Sequence, residues 1–129
     1  MIKNKTCGFL YWDMNERLCL EEIGELGGIE KIVLHYKWYL HINEDELRRD
    51  YLILQIEHEH GITKFGFRPV RLRDEAAVRE YLLGFLKRIL RKKSIKRKLK
   101  KEGSIICLYQ NVPIYSKRFD EFLRQYLNG

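Results

Sequence analysis

The sequence places two histidines beside one glutamate, at His58, Glu59 and His60. Because successive side chains of a β-strand point to opposite faces, His58 and His60 would share one face and Glu59 would point the other way. Two imidazoles at alternate positions of one strand can hold a divalent cation, since neutral imidazole is a common metal ligand. A predicted helix further along the chain carries Tyr81. The two histidines therefore indicate a divalent metal site as one candidate.

This arrangement resembles that of the HUH endonucleases of rolling-circle replication and transposition. The resemblance implies that His58 and His60 bind Mg²⁺ or Mn²⁺, and that Tyr81 attacks the DNA backbone and stays covalently linked to it. The chain departs from the family at Glu59, where the family has a hydrophobic residue, and at Gly84, where it has lysine. The structural alternative is a polar strand end for the histidines and a core position for the tyrosine.

Positive charge is concentrated between Lys87 and Lys101, a stretch that we call the basic segment. It contains ten Lys or Arg residues and no Asp or Glu, and because the whole chain carries +7, the other residues sum to −3. Like charges three or four positions apart disfavour an isolated helix, so a partner that neutralises them is expected. Nucleic-acid phosphates do this with release of condensed counterions. The predicted phosphate contacts are Arg88, Arg91, Lys92, Lys96, Arg97 and Lys100.

Two other interpretations of the basic segment involve no nucleic acid. Charge runs are often solvated helical faces, and a lysine-rich protein would carry such a face without a partner. A membrane-surface helix needs a continuous apolar side, and the apolar residues here are too sparse for deep insertion, which favours phosphate over lipid. They are Ile89, Leu90, Ile95 and Leu99.

The segment Lys64-Phe65-Gly66-Phe67 resembles part of the main motif of RNA-recognition domains, whose sheet aromatics stack on unpaired bases. Strand parity indicates a different arrangement here. If both phenylalanines faced solvent, Lys64 and Arg68 would point into the core, which is costly for unpaired charges. We therefore expect Phe65 and Phe67 inside, with Lys64 and Arg68 on the outer face of the sheet, where they would assist the phosphate contacts.

Hydrophobic periodicity and turn residues predict the elements that position these groups. In chain order we predict a hairpin over Thr6–Met14 and Arg17–Ile23, a strand over Glu30–Ile42, a short helix over Asn43–Arg49, strands over Tyr51–His60 and Ile62–Leu72, a long helix from Asp74 to about Lys101, a strand over Ser104–Gln110, a turn over Asn111–Pro113 and a final helix over Ser116–Leu127. This order predicts an α+β fold with an antiparallel sheet and helices on one face. The expected architecture is a ferredoxin-like βαββαβ unit with an N-terminal hairpin and a C-terminal helix.

Composition narrows the classes of protein to consider. A chain of 129 residues that is 45% hydrophobic is expected to form one domain over residues 1–129 with its own core. Cys7, Cys19 and Cys107 are widely spaced, which favours neither a disulfide framework nor a zinc knuckle and suggests a reducing, cytoplasmic setting. No apolar run approaches the length of a membrane span, so no membrane role is expected. Abundant Lys, Glu and Ile are typical of thermophilic proteins.

The sequence therefore predicts a basic α+β protein that binds DNA or RNA through its phosphates, without catalysis and without a cofactor. The first alternative is metal-dependent nicking of single-stranded DNA, with Tyr81 as nucleophile and His58 and His60 as ligands of Mg²⁺ or Mn²⁺. The second is an assembly or scaffold protein whose final helix pairs with a partner, including a second copy of the chain in a homodimer.

Overall fold

The computed structural model describes residues 10–12, 15–41, 47–114, 121 and 124–125. Over these residues the chain forms one six-stranded sheet and three α-helices. The elements are β1 (Leu10–Trp12), α1 (Glu16–Gly24), β2 (Ile29–His41), β3 (Leu47–His58), β4 (Gly61–Phe67), α2 (Glu75–Arg91), α3 (Lys93–Lys98), β5 (Leu99–Tyr109) and β6 (Val112–Pro113).

The sheet is mixed, with strand order β1-β4-β3-β2-β5-β6. Strands β2, β3 and β4 form an antiparallel meander, while β1 runs parallel to β4 and β5 runs parallel to β2. The parallel pairing of β5 follows from its connection, because α2 and α3 carry the chain back across the sheet before it re-enters. The α+β class is confirmed; the uniformly antiparallel sheet is wrong, and the ferredoxin-like order is not confirmed.

The second half of the predicted N-terminal hairpin is a helix. Asn15 caps α1 through its Oδ1 atom, which accepts a hydrogen bond from the backbone N–H of Leu18 at 2.9 Å. Cys19 and Ile23 are both buried and lie four residues apart, which places them on the same face of a helix. The strand prediction for Arg17–Ile23 was wrong because the alternating Leu18 and Leu20 imitate a strand. Of the other half, the structure describes only β1, which pairs with β4.

The strands predicted on either side of Gly61 pair as a hairpin, but its turn is formed by Glu59 and His60, so the prediction that His60 lies in the strand beside His58 was wrong. His58 pairs with Gly61 across a two-residue turn, and Gly61 has φ 130°, a conformation that L side chains rarely adopt. Phe65 and Phe67 are buried as parity predicts. Strand β4 ends at Phe67, earlier than the predicted Leu72. The predicted burial of both aromatic rings is therefore confirmed, whereas the predicted length of the strand was wrong.

Two other predicted helices concern residues that the structure describes only in part. Of the short helix predicted over Asn43–Arg49, residues 47–49 belong to β3, where Arg49 pairs with Tyr39, so that prediction was wrong for them. Residues 43–46 lie outside the described part of the chain. The final helix predicted over Ser116–Leu127 also lies almost entirely outside it.

The long helix begins as predicted but ends sooner. Asp74 Oδ1 accepts a hydrogen bond from the N–H of Ala77 at 2.9 Å and caps α2. Lys92 then adopts an extended conformation, with φ −69° and ψ 115°, which separates α2 from α3. Leu99 pairs with Ile29 in the sheet and is buried, so its side chain is placed in the core by a strand. The predicted continuation of the helix to Lys101 was wrong for this reason.

The turn after β5 begins one residue earlier and ends two residues earlier than the predicted Asn111–Pro113. Gln110 and Asn111 have positive φ values of 49° and 69° and connect β5 to β6. This pair of left-handed residues is typical of a two-residue hairpin turn whose twist matches the flanking strands. Val112 and Pro113, predicted as part of the turn, form the short strand β6.

The core lies between the three helices and one face of the sheet. Its fully buried side chains include Ile23, Ile32, Leu34, Tyr36, Leu52, Leu54, Ile56, Phe65, Leu82, Leu86 and Ile89. The side chains that alternate with these on β2, β3 and β4 remain partly exposed within the described part of the chain. We call this second surface the open face; its residues are Val33, His35, Lys37, Tyr39, Arg49, Tyr51, Ile53, Gln55 and Lys64.

Candidate functional site

The basic segment is held outward on the folded scaffold by its apolar residues. Ile89 and Leu90 at the end of α2, Ile95 in α3 and Leu99 at the start of β5 are all buried. Because these side chains point into the core, most of the cations between them point away from it. The exposed basic residues that mark the α2–α3 junction, which we call the junction cations, are Arg91, Lys92, Lys93 and Arg97.

The junction cations have no acidic neighbour among the described residues within salt-bridge distance. Arg97 Nε donates to the backbone oxygen of Lys93 at 3.4 Å, a contact that leaves the guanidinium charge uncompensated. Arg91 also lies in the last turn of α2, where a cation complements the partial negative charge of the helix C-terminus. The fold therefore tolerates this concentration of charge without neutralising it.

Other cations of the basic segment take part in internal contacts. Arg88 Nε forms an ion pair with Glu16 at 2.9 Å, and Lys100 Nζ forms one with Glu30 at 3.3 Å. Lys98 Nζ donates to the backbone oxygen of Leu26 at 2.6 Å. Lys96 is half-buried and also interacts within the protein. Of the six predicted phosphate contacts, Arg91, Lys92 and Arg97 are thus exposed without an acidic partner in the described residues; Lys93, which was not singled out, joins them.

Lys64 and Arg68 do not lie beside the basic segment. Lys64 pairs with Gln55 on the open face, whereas the helices cover the opposite face. Arg68 follows β4, with its Cζ atom 5.9 Å from the ring centroid of Tyr51. Arg68 therefore lies near the end of the sheet where β3 begins. The basic segment lies at the opposite end, where its Leu99 pairs with Ile29 at the start of β2. The structure separates the predicted cations into two groups.

The two histidines lie at the tip of the β3–β4 hairpin. The ring of His58 is half-buried, with Nε2 3.0 Å from Thr63 Oγ1, while the ring of His60 is exposed. Their ring centroids are 6.3 Å apart. Burial, together with the nearby His60 ring, lowers the pKa of His58, so its neutral form is favoured. Within the described residues, no group of three His, Cys, Asp or Glu side chains is arranged to hold a metal ion.

Tyr81 lies far from this hairpin tip. Its ring packs against Tyr36 and Phe85, with centroid distances of 6.0 and 6.5 Å. Tyr36 pairs with Leu52, six residues before His58, which corresponds to about 20 Å along β3. Burial raises the pKa of Tyr81 and disfavours the phenolate that would act as a nucleophile. The structure therefore does not bring the tyrosine and the histidines together.

A second basic site, which sequence analysis missed, lies between the start of β3 and the segment after β4. It is a cleft of about 300 Å³, which we call the arginine cleft. Its lining residues are Arg48, Arg49, Asp50, Tyr51, Arg68, Pro69 and Arg71. The two stretches lie some twenty residues apart and meet only through the pairing of β3 with β4. The Arg48-Arg49 doublet was the available signal, but it had been assigned to a helix.

A largely buried ionic network lies at the arginine cleft and includes two of its lining residues, Arg48 and Asp50. Arg48 donates two hydrogen bonds of 2.8 Å to the carboxylate of Asp50, and its guanidinium lies 4.5 Å from the ring centroid of Trp38. The hydroxyl of Tyr36 donates to the same carboxylate. Burial and the bond to Asp50 raise the pKa of Tyr36, so it remains a neutral donor. This network fixes the start of β3, from which Arg49 and Tyr51 project.

The open face also contains a half-buried titratable residue, His35. Its ring Nε2 accepts a hydrogen bond from the backbone N–H of Asn111 at 2.9 Å. Burial and the neighbouring Lys37 lower the pKa of His35 from 6.5 to about 4. The unfolded chain therefore binds a proton between pH 6.5 and 4 that the folded protein does not. The neutral imidazole of His35 therefore contributes to the free energy of unfolding above pH 6.5, and this contribution is lost as the pH falls towards 4.

Replacing His35 by glutamine should remove this dependence while keeping an acceptor for the Asn111 N–H. We expect the wild type to lose about 1–2 kcal/mol more stability than the variant between pH 6.5 and 4, after allowance for solvent screening. Urea denaturation of both proteins across this pH range measures the difference. Parallel stability curves would contradict the assignment of a neutral, hydrogen-bonded imidazole.

The two described cysteines offer no reactive thiol. Burial raises the pKa of Cys19 and of Cys107 to about 12, and neither forms a disulfide. Thiols with such pKa values are protonated at neutral pH and do not act as nucleophiles.

Comparisons with known proteins found no match among family models, curated proteins or solved structures. Within the described part of the chain, no helix combines the length and apolarity needed to cross a bilayer. The functional argument therefore depends on the geometry and charge of this chain's own residues.

Proposed function

We propose that this protein binds nucleic acid, mainly through contacts between the junction cations and backbone phosphates. The observation that supports the proposal most strongly is that Arg91, Lys92, Lys93 and Arg97 are exposed on a folded scaffold without a described acidic partner. A regularly charged polyanion gains from such a surface because each neutralised phosphate releases condensed counterions. Arginine adds a planar donor group that matches two phosphate oxygens.

The burial of the apolar residues in the basic segment favours phosphate over lipid. Insertion into a membrane surface needs apolar side chains that are free to enter the acyl region. Here Ile89, Leu90 and Ile95 already belong to the core. A lipid surface would contact only the cations, which do not provide insertion. A nucleic-acid backbone can be bound through the cations alone.

The proposal is tested by measuring oligonucleotide binding of a triple variant, Arg91→Gln, Lys92→Gln and Lys93→Gln. These side chains are exposed, so the fold should be unaffected, while the loss of three ionic contacts should weaken binding about 10- to 100-fold. Fluorescence anisotropy with a labelled oligonucleotide at low salt measures the affinity.

The control removes charge at the opposite end of α2, through Arg73→Gln and Arg79→Gln. Both residues are exposed, and Arg79 lies twelve residues before Arg91, about 18 Å along the helix. Their loss should change the affinity less than threefold or so, because exposed charges separated by more than a Debye length are screened. An equal loss of affinity for each charge removed in the two variants, or no binding by the wild type, would contradict the proposal.

A further inference from the structure

Two clefts meet at Tyr51 on the open face. One is the arginine cleft. The other has a volume of about 230 Å³ and is lined by Lys37, Tyr39, Tyr51 and Ile53. Because Tyr51 lines both, the second cleft, which we call the tyrosine cleft, adjoins the first directly.

The tyrosine cleft presents ring surfaces to solvent. Tyr39 pairs with Arg49 and Lys37 pairs with Tyr51, so the two tyrosines stand diagonally across β2 and β3 on the same face. Their ring centroids are 5.7 Å apart with planes inclined at 60°. Tyr39 is 49% exposed, an unusual exposure for a large aromatic residue that no described helix covers. Such rings can stack on a flat ligand at little entropic cost.

The arginine cleft supplies positive charge beside these rings. Arg49 and Arg68 line it, and Arg71 is an exposed arginine at its rim. Asp50 is the acidic residue in its lining, and Arg48 already compensates it through two hydrogen bonds. The described residues that line the cleft therefore sum to a positive charge, and guanidinium groups suit the oxygens of a phosphate.

We propose that the open face binds an unpaired nucleobase in the tyrosine cleft, with the attached phosphate in the arginine cleft. A nucleotide matches the two clefts, because its uncharged flat base suits the tyrosine rings and its anionic phosphate suits the arginines. The ligand class is a single strand, since a base within a duplex has its faces covered by its neighbours in the stack. This inference rests on the proposed function and names its substrate class.

The site lies well away from the junction cations. Arg49 pairs with Tyr39 near one end of β2, whereas Ile29 at the other end pairs with Leu99, which belongs to the basic segment. The ten residue steps from Ile29 to Tyr39 extend for about 33 Å. A single strand of several nucleotides can span this distance, and the two sites can be altered independently.

The test compares two double variants. The leucine variant combines Tyr39→Leu and Tyr51→Leu, and the phenylalanine variant combines Tyr39→Phe and Tyr51→Phe. Anisotropy is measured with a labelled twelve-nucleotide oligothymidine and with a labelled twelve-base-pair duplex. The leucine variant should bind the single strand about 5- to 150-fold more weakly, as expected for loss of one stacked base, and the duplex unchanged. The phenylalanine variant keeps both rings and should retain most of the single-strand affinity.

Three results would overturn the inference. The first is unchanged single-strand affinity in the leucine variant, and the second is an equal loss in the phenylalanine variant, which would assign the effect to the hydroxyl groups or to the fold. The third is displacement of the oligothymidine by micromolar uridine monophosphate, which would identify a free nucleotide as the ligand. A competitor that acts only at millimolar concentration supports a strand.

The same titrations separate this inference from the proposed function. If the junction triple variant weakens both single-strand and duplex binding while the leucine variant changes neither, the proposed function stands and the base site fails. If the wild type binds neither probe, both fail. Circular dichroism of each variant verifies that the fold is intact.

Discussion

Replacing Asp50 by alanine should lower the free energy of unfolding by about 3–5 kcal/mol, because it leaves the largely enclosed guanidinium of Arg48 without its counter-ion. The Asp50 side chain is 2% exposed and that of Arg48 is 11% exposed, so water can replace little of what is lost. The hydroxyl of Tyr36, which donates to the same carboxylate, would keep only its longer contact with the backbone oxygen of Val70, at 3.4 Å. The loss of the shorter, buried hydrogen bond adds to the cost.

Asp74→Ala is the matched control, since it removes an aspartate that is exposed. Asp74 caps α2 through one hydrogen bond, so its loss should cost about 1 kcal/mol. Urea denaturation of both variants gives the two free energies. A loss at Asp50 no larger than that at Asp74 would show that the network at the start of β3 contributes little.

Raising the salt concentration should weaken oligonucleotide binding steeply. If the four junction cations each neutralise one phosphate, a change from about 50 to 200 mM salt should reduce the affinity about 50- to 150-fold. The effect arises because the counterions released on binding enter a more concentrated solution. Anisotropy titrations at four or five salt concentrations measure it, and an affinity that is indifferent to salt would exclude phosphate contacts as the main source of binding.

The parts of the fold that were predictable from sequence are those governed by local rules. Alternation along β4 placed Phe65 and Phe67 inside and Lys64 outside, because a strand has a period of two. Gly61 marked the β3–β4 turn, and Asp74 marked the start of α2. Each of these signals depends on a residue's own conformational preference or its nearest neighbours.

The parts that were not predictable depend on tertiary pairing. Leu99 follows a run of helix-forming lysines, yet it lies in β5 because Ile29 provides a parallel partner and the core accepts its side chain. Residues 17–23 show a weak alternation that imitates a strand, but the burial of Cys19 and Ile23 on one side of α1 shows that they form a helix. In both cases burial in the core overrides the local sequence pattern.

The same distinction applies to the candidate sites. The basic segment was visible because its charges lie close together in sequence, and the structure keeps four of them exposed without an acidic partner among the described residues. The tyrosine and arginine clefts were not visible, because Tyr39, Arg49 and Arg68 are brought together by strand register alone. Lys64 and Arg68 were correctly assigned to the outer face, but that face is not the one beside the basic segment.

The most direct measurement of the central claim is the slope of log affinity against log salt for the wild type and for the variant that combines Arg91→Gln, Lys92→Gln and Lys93→Gln. Three lost phosphate contacts should make the variant's slope shallower by about 2 to 3. Slopes that coincide within error would mean that these exposed cations do not touch the nucleic acid.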